Sequence, residues 1–234
     1  TTAGQAVAPA ATVNTGAIVD VTLNGTGSLA DFTDPFWNTA RVWTVLTAAS
    51  RAGNFTLGTV SADMAGRPAA GYGTFSISQT ATTANLVWTP LTAIEQWRFT
   101  HFGTNANSGN AADNADPDGD GVINLAEFNG GSIPTDPLSI PVFVFNNPAG
   151  GNWSAGANWN TAVPPVSNAA LAVELFTSQT LSGTIATPND LAGTLTLNSL
   201  RLGGTGSGTV VTNVSGSPLR FVANGENAPY IQLA

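Results

Sequence analysis

The sequence has no cysteine, no lysine and a single histidine among its 234 residues. Without cysteine there is no disulfide, no thiolate metal site and no thiol nucleophile, and without lysine there is no Lys–Asn isopeptide crosslink. Charged residues make up only 9% of the chain, and the acids outnumber the arginines so far that the formal charge is −8. That balance argues against nucleic acid or an anionic membrane as partner and makes a cation the natural counterpart. No apolar run reaches the roughly 18 residues of a membrane span, so no membrane insertion is expected. Residues 1–5 carry neither the charged nor the apolar region of a secretory signal, so the chain reads as a mature product or as a piece of something longer.

What the chain does contain is apolar residues at 42%, together with abundant Gly, Ala, Thr, Asn and Ser. This composition excludes disorder and is that of long extracellular β-proteins, so secretion to the cell exterior is expected from it. The length suggests one or two domains, two being favoured, and the texture along the chain divides it into two β units and a connector. Residues 1–90 form an N-terminal β unit with short alternating runs at Ile18–Leu23, Val42–Leu46, Asn54–Leu57, Thr74–Ser78 and Leu86–Thr89.

Residues 91–140 change in texture. Thr92-Ala93-Ile94-Glu95 reads as a capping box, and the one helix expected in the chain runs on through Phe102 to Gly103. Residues 141–234 return to strands at Val142–Phe145, Leu171–Phe176, Thr194–Leu197, Ser199–Leu202, Thr209–Thr212, Leu219–Val222 and Tyr230–Leu233. Their spacing near ten residues suggests the rungs of a β-solenoid, or β-helix; an antiparallel β-sandwich is the alternative. The glycine-rich run Leu202–Gly208 suits either a rung corner or a hairpin loop.

Inside the connector, Asp116-Pro117-Asp118-Gly119-Asp120-Gly121-Val122-Ile123-Asn124-Leu125-Ala126-Glu127 follows the twelve-residue register of an EF-hand loop. Asp116, Asp118 and Asp120 fall at positions one, three and five, and the Val122 carbonyl at seven. Asn124 at nine can ligate directly or through water, and Glu127 at twelve is the bidentate candidate. Calcium takes six to eight oxygens in a flexible shell, which this set supplies better than the octahedron magnesium demands. Asp113 and Asp136 add to the crowding, and no arginine lies between Arg98 and Arg201, so the acids repel one another unless a cation joins them. Asp113, Asn114 and Asp136 are further ligand candidates or satisfied turn residues. No helix enters the loop, because Gly103–Asn110 is not a helical sequence, and a static structural site is expected rather than a helix-opening sensor.

Catalysis is not expected. His101, one turn after Trp97, reads as a packed or capping histidine, and neither a nucleophile elbow nor a zinc-protease motif is present. A β-helix polysaccharide lyase is the enzymatic runner-up, weakened by the absence of a lysine base. Trp43, Trp88 and Trp97 lie in strand or helix patterns and read as core, and Trp37 as a loop anchor. Trp153 and Trp159, in a Gly/Asn-rich stretch, leave open a glycan-binding surface and hence a carbohydrate-binding module.

The segment Trp97-Arg98-Phe99-Thr100-His101-Phe102-Gly103, with Asn107-Ser108-Gly109, Ala111-Ala112-Asp113 and the acidic loop, resembles the calcium segment of large secreted bacterial proteins with autotransporter-associated β-strand repeats. The loop itself is similar to dockerin and thrombospondin type-3 loops. In that family Asn152-Trp153-Ser154 through Asn158-Trp159 and Val163-Pro164-Pro165 resembles the opening of a repeat region, whereas Leu23-Asn24-Gly25 and Asp34-Pro35-Phe36-Trp37 resemble a closing part. The resemblance implies a β-solenoid and a passive extracellular scaffold or adhesin. With the ending-like piece first and the opening-like piece last, it also suggests head-to-tail contact between copies, as a filament or as a tandem chain. Calcium would then fix the joint between the two β units.

Overall fold

The computed structural model describes residues 6–8, 11–12, 17–22, 30–61, 68–177, 180–181, 183–203 and 210–233. Outside these lie most of the glycine-rich run, Gly204–Gly208, and also Leu23-Asn24-Gly25, Thr209 and the chain ends Thr1–Gln5 and Ala234. The fold is mainly β and divides into two compact units, 1–105 and 106–234. The helix and the acidic loop therefore fall in different units, and the loop belongs to the second.

In the first unit, β1 (Ala6–Ala8), β2 (Ala11–Thr12) and β3 (Ile18–Thr22) pair in parallel with β4 (Arg41–Ala48), β5 (Arg51–Ala52) and β6 (Thr56–Ser61), in the same chain order. The parallel stacking stops at β4, whose other edge takes β8 (Thr83–Pro90) antiparallel, followed by β7 (Gly73–Gln79). Alternation along β8 buries Ala84, Leu86 and Trp88, the period of two that marks a half-buried strand. Trp88 packs on Phe32 and Trp37 and donates its indole N–H to the Trp37 carbonyl at 2.8 Å. Trp43 lies against the same cluster, and Trp37 is part of its core.

Helix α1 (Ala93–Phe102) follows, as its capping box predicts: the Thr92 N–H and hydroxyl both donate to Glu95 Oε2 at 2.7 Å. These bonds hold the Glu95 carboxyl below its ordinary pKa.

After the acidic loop the second unit forms α2 (Asn124–Gly130), a second helix where the sequence pattern predicts only one in the chain. Three parallel ladders follow. One runs from β9 (Val142–Phe145) through β10 (Ala172–Leu175) and β13 (Ser199–Leu202) to β16 (Tyr230–Leu233). The others pair β11 (Gly183–Asn189) with β14 (Val210–Gly216) and β12 (Leu195–Leu197) with β15 (Leu219–Phe221). Because β11 and β12 intervene between β10 and β13, and β14 and β15 between β13 and β16, the near-ten-residue spacing separates strands of different ladders rather than neighbours in one ladder.

Register stacks like on like. Phe143, Val173, Leu200 and Ile231 stand opposite one another, as do Phe145, Leu175, Leu202 and Leu233. The first of each series are fully buried, whereas Ile231 is 60% and Leu233 80% exposed on the last strand. On the other face Glu174 and Arg201, opposite in register, form an ion pair at 2.6 Å. The β9 edge is covered by the returning chain: Asn146 N–H donates to the Asn158 carbonyl at 2.7 Å, and Asn160 N–H to the Val144 carbonyl at 2.9 Å.

Candidate metal centre

The acidic loop is shaped by its own carboxylates. Asp116 accepts the N–H of Gly119 on Oδ1 and of Gly121 on Oδ2, at 2.9 and 3.0 Å. Asp118 Oδ1 accepts from Asp120 N–H at 3.3 Å, and Asp120 Oδ1 from Val122 N–H at 2.6 Å. Gly121 makes the sharp turn with φ of 94°, a conformation that burdens any residue with a Cβ. These turns bring candidate ligand atoms of Asp116, Asp118 and Asp120 within 4.8 Å of one another, and that group can hold a metal ion.

Glu127 lies outside that closest group but is fully buried on α2, with Ser132 Oγ donating to its Oε1 at 3.1 Å. Its Oε2, and Oδ2 of Asp118 and of Asp120, are buried with no hydrogen-bond partner among the described residues. One loop thus leaves three carboxylate oxygens unsatisfied. Buried polar atoms almost always have a partner, and a buried charge is costly without one.

The acid strengths respond accordingly. Burial pushes Glu127 up to about 7, aided by the charges of Asp118, Asp120 and Asp116 and opposed by the Ser132 bond. Burial likewise pushes Asp120 up to about 6, with Asp118 and Asp116 adding to it and the Val122 N–H opposing. Asp118 is raised too, first by burial.

Acids that titrate higher in the fold than in the unfolded chain make ionisation destabilising. For Glu127 this penalty is absent well below its unfolded value and complete above about 7. Metal-free protein is therefore expected to be more stable at about pH 5 than at about pH 8, by on the order of 2–3 kcal/mol. Urea denaturation in chelator at the two pH values reads this directly, and a stability that rises with pH contradicts it.

The remaining expected ligands are fixed by other contacts. Val122 has its side chain in the apolar core, which sets where its carbonyl stands. Asn124 donates its amide to the carbonyls of Asn110 and Ala112 at 2.8 and 2.7 Å, leaving Oδ1 as its only ligating end, and that oxygen is buried without a partner among the described residues. Asp113 is locked in a turn, accepting from Asn107 Nδ2 at 2.9 Å. Asp136 accepts the Leu138 N–H, and Asn114 is an exposed turn residue.

Two residues of the site escaped the sequence. Ser132 follows Gly131, the left-handed cap that ends α2 with φ of 79°, so a helix-stop signal could have found it. Asn168, which donates to the Asp120 carbonyl at 3.0 Å, lies too far along the chain for any local pattern to show.

Compared with known proteins, the chain matches no family model, no curated protein sequence and no solved structure.

The glycan surface left open at Trp153 and Trp159, beside the commoner core role of tryptophan, is not formed by these two rings. Trp153 is 0% and Trp159 4% exposed, packed edge to face at 5.4 Å, and Trp159 Nε1 donates to the Trp153 carbonyl. Neither ring offers a face to a sugar. His101 packs beside Trp97, ring centroids 5.0 Å apart.

Proposed function

We propose that this chain is a calcium-stiffened β-solenoid segment of an extracellular protein whose work is structural or adhesive. The observation that carries the reading is the fully buried Glu127 carboxylate, one oxygen unpartnered, beside three aspartates with two more such oxygens. A hard divalent ion held by the three aspartates, with Glu127 closing on it, would satisfy these oxygens, and the twelve-residue register with its closing glutamate favours calcium over magnesium. Asp116, Asp118, Asp120 and Glu127 would hold it, with the Val122 carbonyl and Asn124 Oδ1 in reach of the same register.

Three parallel ladders, two of which set apolar residues opposite apolar residues in register, support the solenoid reading. Loops of this kind in extracellular modules bind in the 10⁻⁴–10⁻³ M range, which suits the millimolar calcium outside cells. The exposed apolar strand β16 supports head-to-tail assembly, in which another copy or repeat covers the last circuit. Migration of native material on denaturing gels tests how: a single-repeat band favours non-covalent assembly, and only a much larger chain rules it out.

Calorimetry tests the calcium reading. Binding of one calcium ion is expected, much weaker binding of magnesium, and loss of both in Asp118→Ala. Calcium at ten to a hundred times its Kd stabilises by about 1.4–2.7 kcal/mol, so chelation should lower the melting temperature by roughly 3–11 °C. An unchanged melting temperature together with no heat of binding defeats the reading.

A further inference from the structure

The loop does more than gather acids: it is seated on the first circuit of the second unit. Val122 and Ala126 are buried in the same apolar cluster as Phe143, Phe145 and Trp159, and Ile123 packs against it. Two side-chain hydrogen bonds cross the seam: Asn168 Nδ2 to the Asp120 carbonyl and Asn129 Nδ2 to the Thr161 carbonyl, each at 3.0 Å. The backbone at Gly130 comes so close that a Cβ there would stand 2.3 Å from Pro141 Cβ. Along the seam lies an apolar hollow of about 140 Å³ between Val122, Ile123, Phe143, Val163 and Val166.

Ligand residues and seam residues are thus the same or adjacent. Asp120 offers a carboxylate to the ion while Asn168 grips its carbonyl. Val122 offers a carbonyl while its side chain fills the core. Glu127 directly follows Ala126, which is wholly buried.

We infer that calcium acts as a latch, closing residues 109–131 as a cap over the first circuit, β9 and residues 158–163, of the parallel stack. The inference rests on the calcium reading above. In the seated cap Glu127 is buried and its charge lacks a counter-ion; an unseated cap gives that carboxylate back to water. An ion that neutralises it binds the seated state more tightly than the unseated one, and the difference in affinity is the coupling that closes the seam. The seam matters because a parallel stack with an uncovered end exposes apolar side chains and unpaired backbone.

Hydrogen exchange read by mass spectrometry on the full chain, in millimolar calcium and in chelator, tests the latch. Chelation is expected to speed exchange at least ten-fold in three segments: 113–131, 142–146 and 158–163. Exchange in β7, β8, β14 and β15 stays unchanged. A second arm uses Asn129→Ala, which alters no proposed ligand but removes a seam bond; calcium affinity should fall about three- to ten-fold. If calorimetry shows calcium binding while only 113–131 responds and Asn129→Ala binds as tightly as the parent, the latch is wrong and the calcium site stands. If no binding is seen at all, the site itself fails and the latch with it.

Discussion

In calcium-free buffer at about pH 8, Glu127→Gln is expected to stabilise the protein, by up to about 3 kcal/mol. A buried carboxylate replaced by an amide normally loses stability, so the sign is diagnostic. Glu127 has its carboxyl pushed up to about 7, chiefly by burial and then by its aspartate neighbours, so at pH 8 the fold has to hold it ionised against that preference. Glutamine is nearly isosteric and carries no charge. Its Oε1 can keep the bond from Ser132 Oγ, and its Nε2 can donate towards the Asp118 and Asp120 oxygens that otherwise lack partners.

Adding calcium should reverse the order, because the ion supplies the counter-charge that the carboxylate lacks and glutamine ligates it poorly. Paired urea titrations of the parent and variant, with calcium and with chelator, give four midpoints. The account requires the variant to be the more stable in chelator and the less stable in calcium. A variant destabilised equally in both would mean that Glu127 serves packing alone.

The charge pattern that made this loop legible was local, which is why it could be read. Asp116, Asp118, Asp120 and Glu127 sit in one twelve-residue register with Gly121 at the turn, and the turn physics acts within that window. Strands β9, β13 and β16 were legible residue for residue, because β-branched and aromatic side chains cluster in β9 and β16 and leucine alternates with polar residues in β13. Strand β11 was not, since Gly183-Thr184-Ile185-Ala186-Thr187-Pro188-Asn189 is poor in large apolar residues and contains a proline. Its Pro188 is tolerated because its carbonyl turns towards the Trp153 N–H, away from the β14 ladder, so that ladder loses no donor at this position.

Helix α2 was missed because it has only seven residues, four of them inside the twelve-residue acidic register, too few to show a 3.6-residue period. Trp153 and Trp159 stayed ambiguous in the sequence for the opposite reason. Small polar neighbours suggest a loop in solvent, but those neighbours let the chain fold back tightly against β9 and bury both rings. Where a segment docks is a long-range property: nothing near residue 168 in the sequence points to Asp120.

Trp159→Ala is the substitution expected to be most damaging, at about 3–5 kcal/mol. The ring packs edge to face on Phe145 at 5.1 Å and on Trp153 at 5.4 Å, and its N–H is bonded to the Trp153 carbonyl. Removing it opens a cavity beside Phe143 and Phe145 at the end of the stack where the loop is seated, and leaves that carbonyl short of a donor. Denaturation followed by circular dichroism measures the loss. Because Val122 and Ala126 share this core, calcium affinity should fall along with stability. A change below about 1 kcal/mol would place the ring at the surface and reopen a role in binding.

The most direct measurement is a crystal structure grown in millimolar calcium, with anomalous data to identify the ion. The account predicts one calcium bounded by Asp116, Asp118, Asp120, the Val122 carbonyl and both oxygens of Glu127, at about 2.3–2.6 Å. A loop that remains empty under those conditions, with Glu127 turned out to water and α2 lifted from Phe143, would contradict it.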